Sequence, residues 1–284
     1  MNEQLRRRSV GAPAARSVLL TILGEYVLPR RDAVWQETLV ASLEAMGYTA
    51  QAARQALARS SREGWLVGER HGRRRRLALS PATASLLQSG AERIYSFGEN
   101  GDWSGDWLVV VLRVPEAQRE VRDQLRTRLA WAGLGSLGGG VWVTPRVERE
   151  QEIADVVRAA GSADVWSFRG ELSMLGDQAG VISAGWDLGA VRGAYDEFLA
   201  QFGNRTATTP RAGFSAQTSL VHAWRRFPFM DPDLPADLLP ARWPRARAHA
   251  VFQDRHARWA PLANEHFQSL EDSVASPVGP MITA

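Results

Sequence analysis

The sequence predicts an α+β multidomain chain, and three observations carry that reading. Apolar residues recur at helical spacing through the first sixty positions, a basic two-stranded turn follows, and beyond residue 106 strands alternate with helices before the pattern becomes mostly helical. The expected partition is 1–98, 99–175 and 176–284. At 284 residues, with 45% hydrophobic and 23% charged, the chain can build two or three cores of its own.

The N-terminal elements come first. Val18, Leu19, Ile22, Leu23 and Tyr26 fall on one side of a helix from Ala14 to Val27, which Pro29 ends. Asp32 opens a second helix in which Trp35, Leu39, Leu43 and Met46 form a stripe and Gly47 closes the C-terminus. Thr49 caps a third. Its buried side is Ala53, Ala56, Leu57 and Ser60, while Gln51, Gln55 and Arg62 lie opposite, flanked by Arg54, Ala58 and Arg59. Then GERHGRRRRLALS places His71 and Arg73, Arg74, Arg75 and Arg76 at the tip of a hairpin closed by Gly72, with Trp65-Leu66-Val67 and Leu77-Ala78-Leu79 as its strands.

A charge run is usually a solvated face, but this one ends a helix pair and a hairpin. Residues 1–98 hold 15 arginines against 8 acids, and the remainder 19 against 23, so the net +3 conceals a basic end. All 34 basic residues are arginine; because they populate the acidic regions too, GC-rich codon usage accounts for this better than phosphate chemistry. Three short helices and a basic hairpin together predict a winged helix-turn-helix, whose third helix enters the major groove and whose wing follows the backbone. Thr49, Gln51, Arg54 and Gln55 are the expected base-reading positions, since Gln pairs with adenine edges and Arg with guanine. Arg59, Arg62, His71 and the wing arginines are expected at phosphates, with one arginine reaching the minor groove. The competing reading is that Gln and Arg simply make good exposed helices.

Over nearly its whole length the chain resembles the PaaX family of phenylacetate-degradation repressors. The resemblance rests on SVLLTILGEYVLP with the helix pair and wing, on SFGENGDWSGDWLVVVLRVPEAQREVRDQLRTRLAWAGLGSLGGGVWVTPR, and on AGWDLGAVRGAYDEFLAQF with SLVHAWRRFPFMDPDLPADLLPARWP. It implies a cytoplasmic homodimer that binds a palindromic double-stranded operator and is released by a coenzyme A thioester, phenylacetyl-coenzyme A in the best-known members. It identifies no effector-contacting residue.

Pro81 starts an exit helix running to Phe97, and GENGDWSGD, from Gly98 to Asp106, is the expected linker. Next come a strand from Trp107 to Val114, a helix from Pro115 to Trp131, a strand at Val141-Trp142-Val143, a helix from Glu148 to Ala160 and a strand from Asp164 to Phe168. That order fits a ferredoxin-like α+β middle domain, with the hairpin strands unplaced. Gly133-Leu134-Gly135-Ser136-Leu137-Gly138 matches G-x-G-x-x-G by letter, yet it follows a helix and enters a strand, the reverse of a dinucleotide fingerprint. It is expected to be a glycine-rich connection.

The C-terminal region is expected to be mostly helical, at Val191 to Phe202, Ser215 to Arg226 and Ala246 to Leu270. His222, His249, His256 and His266 lie there without metal-ligand spacing, and Ser183 and Ser219 lack nucleophile-elbow glycines. No catalytic residue, metal site or cofactor is expected. Val221 to Phe227 offers cations beside apolar residues, so Trp186, His222, Trp224, Arg225 and Arg226 form an effector-pocket hypothesis; the alternative is a core helix whose arginines reach outward. Two further function classes compete: a metal-dependent nuclease using Asp102 and Asp106, and an enzyme processing acyl-coenzyme A. The absence of cysteine suits a reducing cytoplasm, the N-terminus reads as no signal peptide, and no apolar run nears the roughly 18 residues of a membrane span.

Overall fold

The structure is a computed structural model that describes residues 13–97, 103–161 and 164–275. The chain is mixed α+β with two small antiparallel sheets, and its packing divides it into two compact units. One comprises residues 1–95, 204–224 and 251–284; the other comprises 96–203 and 225–250.

In the first unit, helix α1 (Ala15–Ile22) continues as a π-helical turn over Leu23–Val27. Strand β1 (Val34–Trp35) leads into α2 (Gln36–Ala45), and α3 (Ala50–Arg62) follows after a short turn. Strands β2 (Leu66–His71) and β3 (Arg74–Leu79) form a hairpin, and β1 pairs on the far side of β3, so the order is β1-β3-β2. The expected second helix is thereby corrected. Trp35 does not join its stripe but sits in extended backbone (φ −67°, ψ 142°) opposite Arg76, because β3 offers Val34 and Trp35 a strand partner. Helix α4 (Pro81–Ser96) begins after Ser80, whose hydroxyl accepts from the Thr83 amide at 3.3 Å.

Later chain completes this core. Phe214 of α9 (Pro210–Trp224) and Ala263 and Phe267 of α11 (Arg245–Ala275) are buried with Leu19, Leu23, Tyr26 and Leu57. The Tyr26 ring lies 5.0 Å from Phe214 and 5.2 Å from Phe267. Packing thus draws residues 204–224 and 251–275 into one compact unit with the N-terminal elements. Helical spacing locates an apolar face, but it does not say which core that face joins.

The second unit is built on a four-stranded sheet of order β5-β6-β4-β7, from β4 (Trp107–Arg113), β5 (Gly135–Gly138), β6 (Val141–Thr144) and β7 (Asp164–Gly170). Helices α5 (Arg119–Trp131) and α6 (Glu150–Ala160) cover one face, burying Leu125, Leu129, Ile153 and Val157 on Leu108, Val110 and Leu112. The other face buries Trp107 and Val143 with Leu234 and Leu238. Helix α5 starts at Arg119, later than Pro115, since Pro115 to Gln118 form a turn. Helices α7 (Gln178–Gly185), α8 (Leu188–Phe202) and the short α10 (Phe227–Met230) complete the unit. The first part of the expected linker, with Asp102, and the first twelve residues lie outside the described residues.

Two glycines of the 133–138 segment have packing roles. Gly133 has φ +87° just past α5, and a β-carbon at Gly135 would fall 2.7 Å from the Trp186 indole. That indole donates to the Gly133 carbonyl at 3.2 Å.

Candidate nucleic-acid interface

Helix α3 is held by its own sequence. The Thr49 hydroxyl accepts from the Ala52 amide at 3.2 Å, and Ala53, Ala56, Leu57 and Ser60 are buried. Small residues on that face let the helix sit close to α1 and α2. Gln51, Arg54, Gln55, Arg59 and Arg62 all face solvent. Among the described residues, the side chains of Gln51, Arg54 and Gln55 make no ion pair or hydrogen bond, so their amides and guanidinium are open to an outside partner. Arg59 is engaged: its Nε donates to Glu63 at 3.0 Å, and Arg16 reaches the same carboxylate. The Arg59 bond and Arg16 hold the Glu63 carboxyl below its usual range against a smaller opposing effect of burial. Arg62 lies 3.5 Å from the Ala58 carbonyl.

The hairpin turns through two residues, Gly72 and Arg73, between the paired His71 and Arg74. Gly72 has φ +63° at the first central position, where a two-residue turn of the right twist needs glycine. Strand alternation then splits the arginine run. Arg74 stacks its guanidinium 4.0 Å from the centre of the Trp35 ring, and Arg76 lies over the same ring at 5.5 Å while donating to the Ala33 carbonyl. Both are half-buried. Arg73 and Arg75 are exposed. Arg75 crosses the bare backbone of Gly68, where a β-carbon would collide with its side chain. His71 packs edge-on against Trp35 at 5.8 Å, with Glu69 3.8 Å away. Four adjacent arginines are thus divided into an exposed pair, Arg73 and Arg75, and a packed pair, of which Arg76 is committed to the sheet. The signal that sequence reasoning lacked was Trp35, which strand pairing brings beneath them.

The residues of the effector-pocket hypothesis are divided between the two compact units. Trp224 is fully buried, stacked 4.7 Å from Phe252, with its Nε1 donating to the Ile94 carbonyl at 3.1 Å. His222 Nδ1 is 3.0 Å from the Thr21 hydroxyl. Both belong to the first unit, whereas Trp186, Arg225 and Arg226 belong to the second. Burial pushes the Arg225 guanidinium pKa down. Trp186 lines a cleft of about 860 Å³ with Ile182, Leu238 and the carboxylates Asp187 and Asp237. Those two acids disfavour phosphates there.

Chemistry of other kinds gains no geometry. Among the described residues, no group of three or more His, Asp or Glu side chains is placed to hold a metal. Ser219 donates to the Ser215 carbonyl at 2.7 Å and Ser183 to the Gly180 carbonyl at 3.1 Å, each bonded back onto its own helix. No helix among the described residues is long and apolar enough to cross a membrane.

Two polar clusters escaped sequence reasoning, one partly and one largely buried. In the first unit Glu25 sits in the π-helical turn, with His256 Nε2 at 2.8 Å, the Gln217 amide at 2.8 Å and the Tyr95 hydroxyl at 2.6 Å. Burial raises its pKa, but the bonds from His256, Tyr95 and Gln217 outweigh that and hold the carboxyl below its ordinary value. In the second unit Arg245 donates to both Asp231 oxygens at 2.6 and 2.9 Å and lies 3.3 Å from Asp233. Arg146 and Arg149 reach Asp233 at 3.5 and 3.0 Å, and Tyr195 donates to Asp231 at 2.6 Å.

Three family models match the chain in sequence order. Residues 14–83 match the PaaX-like protein model, residues 100–182 the PaaX protein central Cas2-like domain, and residues 186–269 the PaaX-like protein C-terminal domain. The transcriptional repressor PaaX of Escherichia coli (strain K12) is 29% identical over 262 residues, spanning 87% of this chain and 81% of that protein. Among solved structures, an uncharacterized protein from Mycobacterium tuberculosis, Rv0674, superposes with a TM-score of 0.60 at 24% identity. The match covers 89% of this chain and 98% of that one and speaks to the fold alone. Matched from Ala14 to Ser269 by all three models in order, the chain belongs to the PaaX-like family.

Proposed function

We propose that the chain is a transcriptional repressor that binds double-stranded operator DNA through a winged helix-turn-helix made of α1, α2, α3 and the β2-β3 hairpin. The observation that carries this is the outer face of α3: Gln51, Arg54 and Gln55 stand in solvent beside a fully buried inner face, on the same core as an arginine-tipped hairpin. Those three residues read base edges, with Thr49 at the helix start; Arg73 and Arg75 neutralise phosphates, and Arg62 assists. The middle domain is read as ferredoxin-like, supported by its β-α-β-β-α-β order and its all-antiparallel pairing. The repressor acts in the cytoplasm as a homodimer on a palindromic operator, controlling an aromatic-acid operon of the phenylacetate type. An acyl-coenzyme A thioester such as phenylacetyl-coenzyme A releases it by binding the DNA-incompetent arrangement more tightly. Similarity to a repressor favours this regulator over a nuclease or a thioester-processing enzyme.

The test is fluorescence anisotropy at fixed salt on DNA from upstream of the protein's own gene neighbourhood, with and without phenylacetyl-coenzyme A. Specific binding abolished by the thioester, which is recovered unchanged, is the expected result. Binding indifferent to the thioester removes the effector and keeps the repressor; no specific binding removes both.

A further inference from the structure

A second cleft, of about 600 Å³, opens within the second unit at the end of the four-stranded sheet, a volume within the range of ligand sites. Leu112, Leu125 and Trp142 contribute apolar surface from the core. Arg113, Arg122 and Arg126 line it against one carboxylate, Glu116. All three arginines are exposed, and among the described residues none is paired with an acid. Arg122 donates only to the carbonyls of Pro115 and Glu116, at 3.4 and 3.2 Å, and Arg113 lies 5.9 Å from the Trp166 ring centre.

The remaining wall is bare backbone. Gly138, Gly139 and Gly140 have φ of 89°, 59° and 83°, a run that side chains would strain. At Gly140 a β-carbon would also collide with the Leu112 carbonyl oxygen. Such a wall lets a bulky ligand approach the main chain. Trp166, 46% exposed, adds an indole on which a planar base can stack. Guanidinium forks match phosphate oxygens, so the surplus of positive charge selects an anion of that kind.

We propose that this cleft binds the phosphorylated purine end of a coenzyme A thioester, the arginines on its phosphates and Trp166 on its base. The identity of the ligand rests on the effector reading above, whereas the site rests on the cleft itself. The experiment is isothermal titration of the full chain with coenzyme A and with phenylacetyl-coenzyme A, using wild type, Arg122→Ala/Arg126→Ala and Trp166→Ala. All three altered side chains are exposed, and unchanged thermal unfolding checks that the variants fold. The arginine pair should weaken both ligands at least about tenfold and Trp166→Ala several-fold. Wild-type affinity for the thioester in the arginine variant overturns the site and leaves the effector reading standing. Binding of coenzyme A that the arginine variant loses, with DNA that the thioester fails to release, upholds the cleft and removes the effector. No binding of either ligand by the wild type overturns both.

Discussion

The outer surface of α3 with the hairpin, in the first unit, and the polar cluster around Asp231, in the second, use arginine in opposite ways. In the first, Arg54, Arg73 and Arg75 stand in solvent; in the second, Arg245 and Arg146 are buried among Asp231 and Asp233. A guanidinium taken out of water must be matched, and Arg245 is matched twice, by both oxygens of Asp231 and by the Asp233 carboxylate and Leu234 carbonyl. One left at the surface contributes little to folding and keeps its charge available. Placement, rather than the number of arginines, therefore separates the parts that hold the chain together from those whose charge stays open to a partner.

The largest effect should come from breaking the buried set. Asp231→Ala takes the two-oxygen partner from the buried Arg245, leaves it only an Asp233 carboxylate shared with Arg146 and Arg149, and removes the acceptor for Tyr195; it should cost about 3–5 kcal/mol in urea unfolding. Asp231→Asn should cost less. A loss under about 1 kcal/mol for Asp231→Ala would make the buried and exposed arginines energetically alike. At the surface the reverse is expected. Arg73→Ala with Arg75→Ala should leave unfolding unchanged, weaken binding to every DNA sequence alike, and lower the salt slope by about two.

Glu25 supplies an intermediate case, a largely buried carboxylate held mainly by neutral or titratable donors in the first unit. Its folded pKa is depressed, so the stability it contributes is present above its unfolded value and is lost as pH falls through the folded one. Stability should thus decline in acid below about pH 4, and Glu25→Gln should flatten that decline while costing on the order of 2 kcal/mol at neutral pH. An unchanged acid limb in the variant would assign the decline to other carboxylates. The smallest effect belongs to Arg76→Ala. Losing its place over Trp35 and its bond to the Ala33 carbonyl should cost about 1 kcal/mol of stability and change the salt slope less than Arg75→Ala does.

What was legible in the sequence was local. Thr49 and the spacing of Ala53, Ala56, Leu57 and Ser60 announce α3 and its outer face without reference to the rest of the chain, because a cap and a 3.6-residue period suffice. The hairpin was legible through Gly72. Trp35 was misread because it stands in phase with α2, and only pairing with β3 makes it a strand. Gly135–Gly138 carries too little side chain to signal a strand, and QAGVISAG too many small residues to signal α7. Glu25 and His256 lie 231 residues apart, and no periodicity relates them. The same limit hid the cleft, whose arginines, glycines and Trp166 come from α5, both ends of the sheet's strands and the turn between β5 and β6.

The central claim, that α3 reads bases while the hairpin grips backbone, is tested most directly by the ratio of operator to random-sequence affinity at one fixed salt, in wild type, Gln55→Ala and Arg73→Ala/Arg75→Ala. The account predicts that Gln55→Ala lowers the ratio by about 1–3 kcal/mol and that the hairpin variant lowers both affinities with the ratio kept. Equal effects of the two variants on the ratio would contradict it.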